Sequence, residues 1–502
     1  MRNLKHAASA LFILALAAAA VSCQDGAKTD VQSGESGALT AGGQSSDLVQ
    51  METDSRLPLG LPEELSFEGE TFTFLGVGTE ENQGYYSTTD LYAESENAEP
   101  LNDAVYKRNR AIFDLLGVTV EVVDKNPTMT EIQKVVEAND CMYDAVWSNG
   151  NSMYNGAAKG YFLDFQQIPY ITLSNPWWDQ NIRENFSFND KNYIMTGDIS
   201  TREDACTFNV YFNKKLLSDF DLESPYPLVK EGTWTLDKFQ EMVRAVSVDV
   251  NGDGVMEDGD QFGMMSENGL ANRLFISAGG TYYTKNSAGE YEINITSERN
   301  LRIFDAVFTL LLDSNTVPRI EKWLNKVPGG NVYGYARSLF AQDKFLFSIG
   351  GPLVIGEFRN MESDFGIVPI PKFDIEDDRY YAAVDEFAPL LAVTVNVPNI
   401  EKTGAVLEAM SWESMYTVTP VYQETLLERK YTRDTESADM LGIIAESRVY
   451  NIIGMTNWGG LYSVAQNTYG ADRAVTVSAF EKKLNAAKKA LEKDLSTFEA
   501  LD

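Results

Sequence analysis

Between residues 71 and 147 the chain alternates two apolar patterns, and this alternation narrows the fold more than any other feature. "TFTFLGVG" (71–78) reads as a buried strand and "LNDAVYKRNRAIFDLLG" (101–117) as an amphipathic helix stopped by Gly117. "VTVEVV" (118–123) is a β-branched strand, "MTEIQKVVEAND" (129–140) a helix and "YDAVW" (143–147) a third strand. Strand, helix, strand, helix, strand implies right-handed crossovers and a mainly parallel sheet, so the class is α/β. At 502 residues the chain is too long for one ordinary domain, and its 44% apolar content can fill two or more cores.

The later segments keep both periods. "NVYFNKKLLSDFDL" (209–222) runs from strand into helix, and "TWTLDKFQEMVRAV" (233–246) is a helix with Thr235 as its expected N-cap. Further helices are expected at 268–280, 297–314 and 477–501, and strands at 345–352 and 388–397. Gly350 and Gly351 serve either to turn the chain or to let backbone approach a ligand.

The charge excludes one class of partner. A net charge of −33 leaves nothing to neutralise a phosphate backbone, so nucleic-acid binding is not expected. The first residues, "MRNLKHAASALFILALAAAAVSCQDG", have a basic start, a short apolar core and small residues up to Cys23, the pattern of a secretion signal. "AVSC" resembles the bacterial lipobox, with Ala20 where Leu is usual. That resemblance implies removal of residues 1–22 and lipidation of Cys23, with residues 23–58 as a flexible, polar tether. The only histidine, His6, leaves with the signal, which excludes His-based triads and His-ligated zinc. Cys141 and Cys206 either pair in an oxidising exterior or stay as buried thiols.

"DVNGDGVMEDGDQFG" (249–263) has the spacing of a calcium loop. Asp249, Asn251, Asp253, Glu257 and Asp260 stand at positions 1, 3, 5, 9 and 12, Val255 offers its carbonyl, and Gly254 falls at the sharp turn. The expected ion is one structural calcium: a helix enters the loop and a strand leaves it, so there is no helix pair to open. A solvated acidic turn is the alternative.

Taken in order behind the lipobox, "YDAVW", "PWWDQ", "KNYIMTGDIS", "VYFNKKLL", "TWTLDKFQEMV", the D-x-N-G-D-G loop, "FLFSIGGP" and "DFGIVPIPKFD" carry a resemblance over nearly the whole mature chain. The chain resembles the family 1 extracellular solute-binding proteins of bacterial carbohydrate ABC importers, in particular the LplA-type lipoproteins. The resemblance implies a two-lobe, type II periplasmic-binding-protein-like fold with a ligand cleft between lobes. The lobes are expected at 59–205 with 366–415, and at 206–365 with 416–502, with "NVYF" and "DFGIVPIPK" near the crossings. It further implies a carbohydrate ligand, permease subunits as partners, and a monomer held by lipid alone on the outer face of the cytoplasmic membrane.

Sugar rings need flat apolar partners and their hydroxyls need directional acceptors. Residues of that kind near strand ends are Trp147, Asn149, Trp177, Trp178, Asp179, Asp198, Asp385, Glu386 and Trp458. Each has a plainer alternative: one of Trp177 and Trp178 as core, Trp147 and Trp458 as packing, Asp198 as a turn cap, Asp385 and Glu386 as solvated loop charges. Trp234 and Trp412 read as packing residues. Two other functions compete. A secreted carbohydrate hydrolase needs a defined carboxylate pair, and none of the 74 acidic residues stands in a glycosidase-like motif. A calcium-dependent adhesion or scaffold protein is set back by having a single loop.

Overall fold

In a computed structural model the described residues are 56–76, 89–125, 127–267, 269–286, 290–358, 360–428, 435–468 and 473–501. The chain divides into a leading unit, Met1–Leu57, and a body, Pro58–Asp502, to which all the elements below belong. The first lobe is built on β1 (Thr71–Gly76), β2 (Thr119–Asp124) and β3 (Ala145–Asn149), with α1 (Pro100–Leu116) and α2 (Met129–Glu137) as crossovers and α3 (Gly150–Ala158) after β3. β1 pairs in parallel with β2 (Phe74 opposite Val122) and with β3 (Phe74 opposite Ala145). Local chemistry fixes the helix ends. Pro100 opens α1, where its missing N–H costs nothing, and Gly117 closes it at φ 71°, its N–H donating to the Phe113 carbonyl at 2.8 Å. Asn149 caps α3 by accepting from the Ser152 N–H at 3.0 Å.

The second lobe is built on β4 (Asn209–Asn213), β5 (Phe262–Met264), β8 (Phe345–Gly350) and β9 (Phe365–Val368), in the order β5-β8-β4-β9. Only β5 and β8 run parallel; β4 is antiparallel to both its neighbours. α4 (Leu236–Ala245) starts at Thr235, which caps it as expected by accepting from the Lys238 N–H at 3.4 Å. α5 (Leu270–Ser277) and α6 (Glu298–Leu312) stack Phe275 on Phe304 with centroids 3.8 Å apart. Between these helices stands the hairpin β6 (Tyr283–Lys285) and β7 (Tyr291–Ile293).

β11 (Pro389–Ala392) returns to the first sheet as its antiparallel edge, Leu391 opposite Trp147. Three segments run side by side between the two sheets. Thr207 pairs with Val384, and β10 (Ala382–Ala383) pairs with β12 (Arg448–Val449). "NVYF" follows the first of these directly. "DFGIVPIPK" does not form the second: Phe365–Val368 is committed to β4, and the chain crosses only at Ala382–Val384. The C-terminal part touches both lobes. Val418–Glu428 packs on α1 and Thr435–Glu446 on β9, while α7 (Arg473–Glu499) brings Asp494 to Tyr154 of α3 and to Trp458.

Candidate functional site

A cavity of about 400 Å³ opens where the strand ends of the second lobe meet the connecting segments. Its floor is Ile349 and Gly350 at the end of β8, with Met265 to Glu267 after β5 and Leu270 and Arg273 from the start of α5. Phe208, Asp385 and Phe387 enter from the connecting segments, and Asn331, Tyr333 and Arg337 from 331–340. Strand ends are where α/β folds leave backbone and side chains open to a ligand. Gly351 must be small because a Cβ there would lie 2.4 Å from the Ala205 carbonyl oxygen, which locks β8 onto the first connecting segment.

Arg273 organises the charge. Its guanidinium pairs with Glu267 and lies 4.4 Å from the Phe208 ring centroid. Burial pulls its pKa down, but Glu267, Glu386 and Asp385 outweigh burial and leave it raised. Burial raises the Glu386 carboxyl, Asp385 adds to the rise, and Arg273 opposes it. Arg337 is engaged by Glu357 at 2.7 Å. Beside these charges stand two open aromatic faces, Tyr333 and Phe387, each 47% exposed, enough ring to stack on a flat apolar surface.

Of the residues expected from sequence, Asp385 lines this cavity, and Glu386 adjoins it beside Arg273. The four tryptophans are elsewhere: Trp147, Trp177, Trp178 and Trp458 are at most 2% exposed and offer no open face. Trp147 sits on an interior strand of the first sheet. Trp178 donates to Glu408 at 2.8 Å, a buried carboxylate also held by Asn175 at 2.7 Å. Burial raises the Glu408 pKa and these bonds oppose the rise. Trp458 donates to Asp494 at 2.8 Å. Asn149 is a helix cap. Asp179 caps Gln180–Asn185 through the Asn181 N–H at 2.7 Å and takes Arg448 on its other oxygen at 2.9 Å. Glu267, Arg273, Tyr333 and Phe387 escaped the sequence reading. The pointer available was their place after a strand end, in "FGMMSE" and "VDEF", rather than residue type.

The acidic loop is ordered by its own backbone. Asp249 accepts from the Gly252 and Gly254 N–H groups, both at 2.7 Å, with these glycines at φ 72° and 83°. Asp260 is buried and accepts from Val250 at 2.9 Å and Glu257 at 2.8 Å. Asn251 and Asp253 brace the tip, while the Glu257 side chain faces Lys326 at 3.7 Å. Among the described residues no three His, Cys, Asp or Glu side chains gather as a metal cage. The oxygen donors suit calcium in kind, and an ion would have to draw Asp253 and Glu257 inward. Cys141 is exposed, Cys206 is buried, and both are free. Cys23 lies outside the described residues, and no described helix is long and apolar enough to cross a membrane.

No family model matches the chain, and no curated protein does. Solved structures do. A cyclo/maltodextrin-binding protein complexed with maltotetraose matches with a TM-score of 0.53 at 14% identity, over 87% of this chain and 98% of its own. The apo form of RafE from Streptococcus pneumoniae gives 0.53 at 15%, over 84% and 100%. The substrate-binding protein Lmo0181 from Listeria monocytogenes, in complex with cycloalternan, gives 0.50 at 13%, over 86% and 99%. The chain has their two-lobe fold. The three connecting segments and the paired α/β sheets described above are the elements that such a fold requires.

Asp198 sits against these connecting segments. Burial raises its pKa from 3.8 to about 7; a bond from Thr419 at 2.8 Å and the charge of Arg448 oppose the rise, and Asp179 adds to it. The folded chain therefore holds this proton more tightly than the unfolded chain. The stabilisation is full below pH 3.8 and is lost as the pH rises through about 7. Denaturant unfolding across that window should show the parent losing stability relative to Asp198→Asn; parallel curves would assign the pH dependence elsewhere.

Proposed function

We propose that this chain captures an oligosaccharide or sugar derivative outside the cell and delivers it to the permease of an ABC importer, breaking no bond. The observation that carries the reading is the cavity at the connecting segments. It combines two open aromatic faces with fixed charged groups, the pairing that a sugar's apolar face and hydroxyls require. Solved proteins of the same fold, at low sequence identity, hold maltotetraose and cycloalternan. In such a fold the ligand bridges two lobes, and contacts made by both favour the closed state that a permease recognises. The LplA-type group remains the subgroup that the sequence motifs favour.

Tyr333→Ala, Phe387→Ala and Glu267→Gln should each weaken sugar binding by about 1–3 kcal/mol, roughly tenfold to hundredfold. Calorimetry with maltotetraose, raffinose, cellotetraose and xylotetraose reads this, and the same mixtures should contain intact sugar after incubation. Parent-like affinity in all three variants would move the site; cleavage products would turn the reading to a hydrolase.

The reading includes a diacyl or triacyl anchor on Cys23 that keeps a monomer at the outer face of the cytoplasmic membrane, since a single chain gives only marginal retention. Cys23→Ser should shift the protein from the membrane fraction to the soluble one, or block its processing. Unchanged partitioning would remove the anchor from the proposal.

It also includes one structural calcium held by Asp249, Asn251, Asp253, Glu257, Asp260 and the Val255 carbonyl. The ion would draw the loop's four carboxylates inward and offset the repulsion between them. Millimolar calcium should raise the melting temperature of the parent and not of the Asp249→Ala, Asp253→Ala double variant, with sugar affinity little changed. A parent indifferent to calcium would leave the loop as a solvated turn.

A further inference from the structure

A second cavity, of about 360 Å³, is not used by the sugar-capture reading. It lies at the other end of α5. Leu270 and Arg273 line the first cavity, whereas Ile276 and the residues from Gly279 to Thr281 line the second. At about 1.5 Å of rise per residue the two are roughly 10 Å apart along the helix. The second cavity's other walls are the β6–β7 hairpin, the segment Arg379–Tyr381, and Val449 to Asn451. Its volume is at the small end of the ligand-pocket range of about 300–1,000 Å³.

The walls are tyrosines held in place. Tyr282 donates to Asn272 at 2.6 Å, Tyr291 to the Ser187 carbonyl at 2.8 Å and Tyr450 to Asp179 at 3.1 Å, and Tyr283 accepts from the Ile452 N–H at 3.2 Å. These bonds fix the rings: Tyr282, Tyr291 and Tyr450 are buried behind the lining, and Tyr283 and Tyr381, half-buried, are the ones that keep an accessible face. Tyr381 completes the wall against Gly279, which sits at φ 84° and where a Cβ would come within 2.9 Å of the Tyr381 ring.

The charge at the mouth runs against the rest of the molecule. The chain carries 41 basic and 74 acidic residues, so a basic side chain would ordinarily find a carboxylate. Arg379 is exposed, stacks on Tyr381 at 4.7 Å, and has no carboxylate within ion-pair distance among the described residues. Lys285 lies over Tyr291 at 4.9 Å and is held by two neutral carbonyls, Glu184 at 3.1 Å and Ser187 at 3.2 Å. Arg299, beside Gly279, is neutralised by Asp377 at 2.7 Å. Glu184 is the one acidic residue in the lining. Arg379, with no ion pair among the described residues, and Lys285, which feels Asp190 and Glu184 only from beyond ion-pair distance, thus flank the fixed aromatic rings.

We propose that this cavity is a second binding site, for a sugar bearing an anionic group, carboxylate or phosphate. The ring lies against Tyr283 and Tyr381 and the anion meets Arg379 and Lys285. A guanidinium already held flat on an aromatic ring loses little freedom on binding and can meet either anion with two parallel hydrogen bonds.

The test is calorimetry at low salt on the mature chain with glucuronate, glucose 6-phosphate and glucose as probes. At least one anionic probe should bind tenfold or more tightly than glucose and weaken as salt rises. Arg379→Ala and Tyr381→Ala should each lower that affinity tenfold or more, with Phe387→Ala without effect; which anion binds identifies the group recognised. Neither anion exceeding glucose, or parent-like binding in Arg379→Ala, would overturn the site. Loss of anion binding in Phe387→Ala would also overturn it, by placing the anion in the first cavity. None of these outcomes bears on the capture of neutral oligosaccharides, which is read at Tyr333 and Phe387.

Discussion

The ion pair between Arg448 and Asp179, 2.9 Å apart with Asp179 buried and Arg448 only 11% exposed, is the interaction on which the joining of the lobes depends. Arg448 also pairs with Asp204, and Tyr450 donates to the same Asp179 oxygen at 3.1 Å. One guanidinium thereby fixes the third connecting segment to the first lobe and to the turn that leads into the first segment. Charges taken out of water are tolerated only when fully partnered, and stranding one member costs on the order of 3–5 kcal/mol. Burial lowers the Arg448 pKa, but Asp179, Tyr450 and Glu203 outweigh it and leave it raised, so the group stays charged. Asp198 and Glu203 nearby are pushed up by burial first, with Asp179 adding to both shifts. The region tolerates one cation and its two partners; further carboxylates there favour the protonated form.

The aromatic residues divide their work by position. The tryptophans carry the largest apolar area and are spent inside. Trp234 donates to the Pro369 carbonyl at 2.8 Å, Trp178 to Glu408 and Trp458 to Asp494, so each indole N–H in this set is satisfied while its rings fill core. The faces left open at the first cavity belong to Tyr333, on the helix Val332–Phe340, and Phe387, in the loop between β10 and β11. Stacking on any ligand needs a reachable ring face, which Tyr333 and Phe387 keep and the buried tryptophans do not.

The calcium-like loop and the C-terminal helix serve the same end from the periphery. The loop joins α4 to the edge strand β5, and Val248 pairs with Gln261 across its base, so its order is the order of that sheet edge. α7 reaches back to the first lobe through Asp494, which accepts from Tyr154 at 2.5 Å and from Trp458. Motion between the lobes therefore has to respect a strap as well as the connecting segments.

Local chemistry alone determined much of this molecule. The strand–helix alternation from β1 to β3, the stop at Gly117 and the cap at Thr235 were legible because each depends on residues within one or two turns. The α/β class followed, and the two-lobe arrangement was implied by the family resemblance that the motifs carry. The candidate cavity was only partly legible: of its surroundings the sequence reading named Asp385 and the adjoining Glu386, while the four tryptophans it named are buried elsewhere and Glu267, Arg273, Tyr333 and Phe387 were not named. Whether a ring is a wall or a core depends on which distant segments pack around it, and Trp147 is buried on a strand whose neighbour, β11, arrives from residues 389–392, which no local pattern announces. The same holds for Arg448 and Asp179, 269 residues apart, whose pairing exists only once both lobes have formed. Tertiary structure decided burial, and burial decided which residues of the right chemical type were left to meet a ligand.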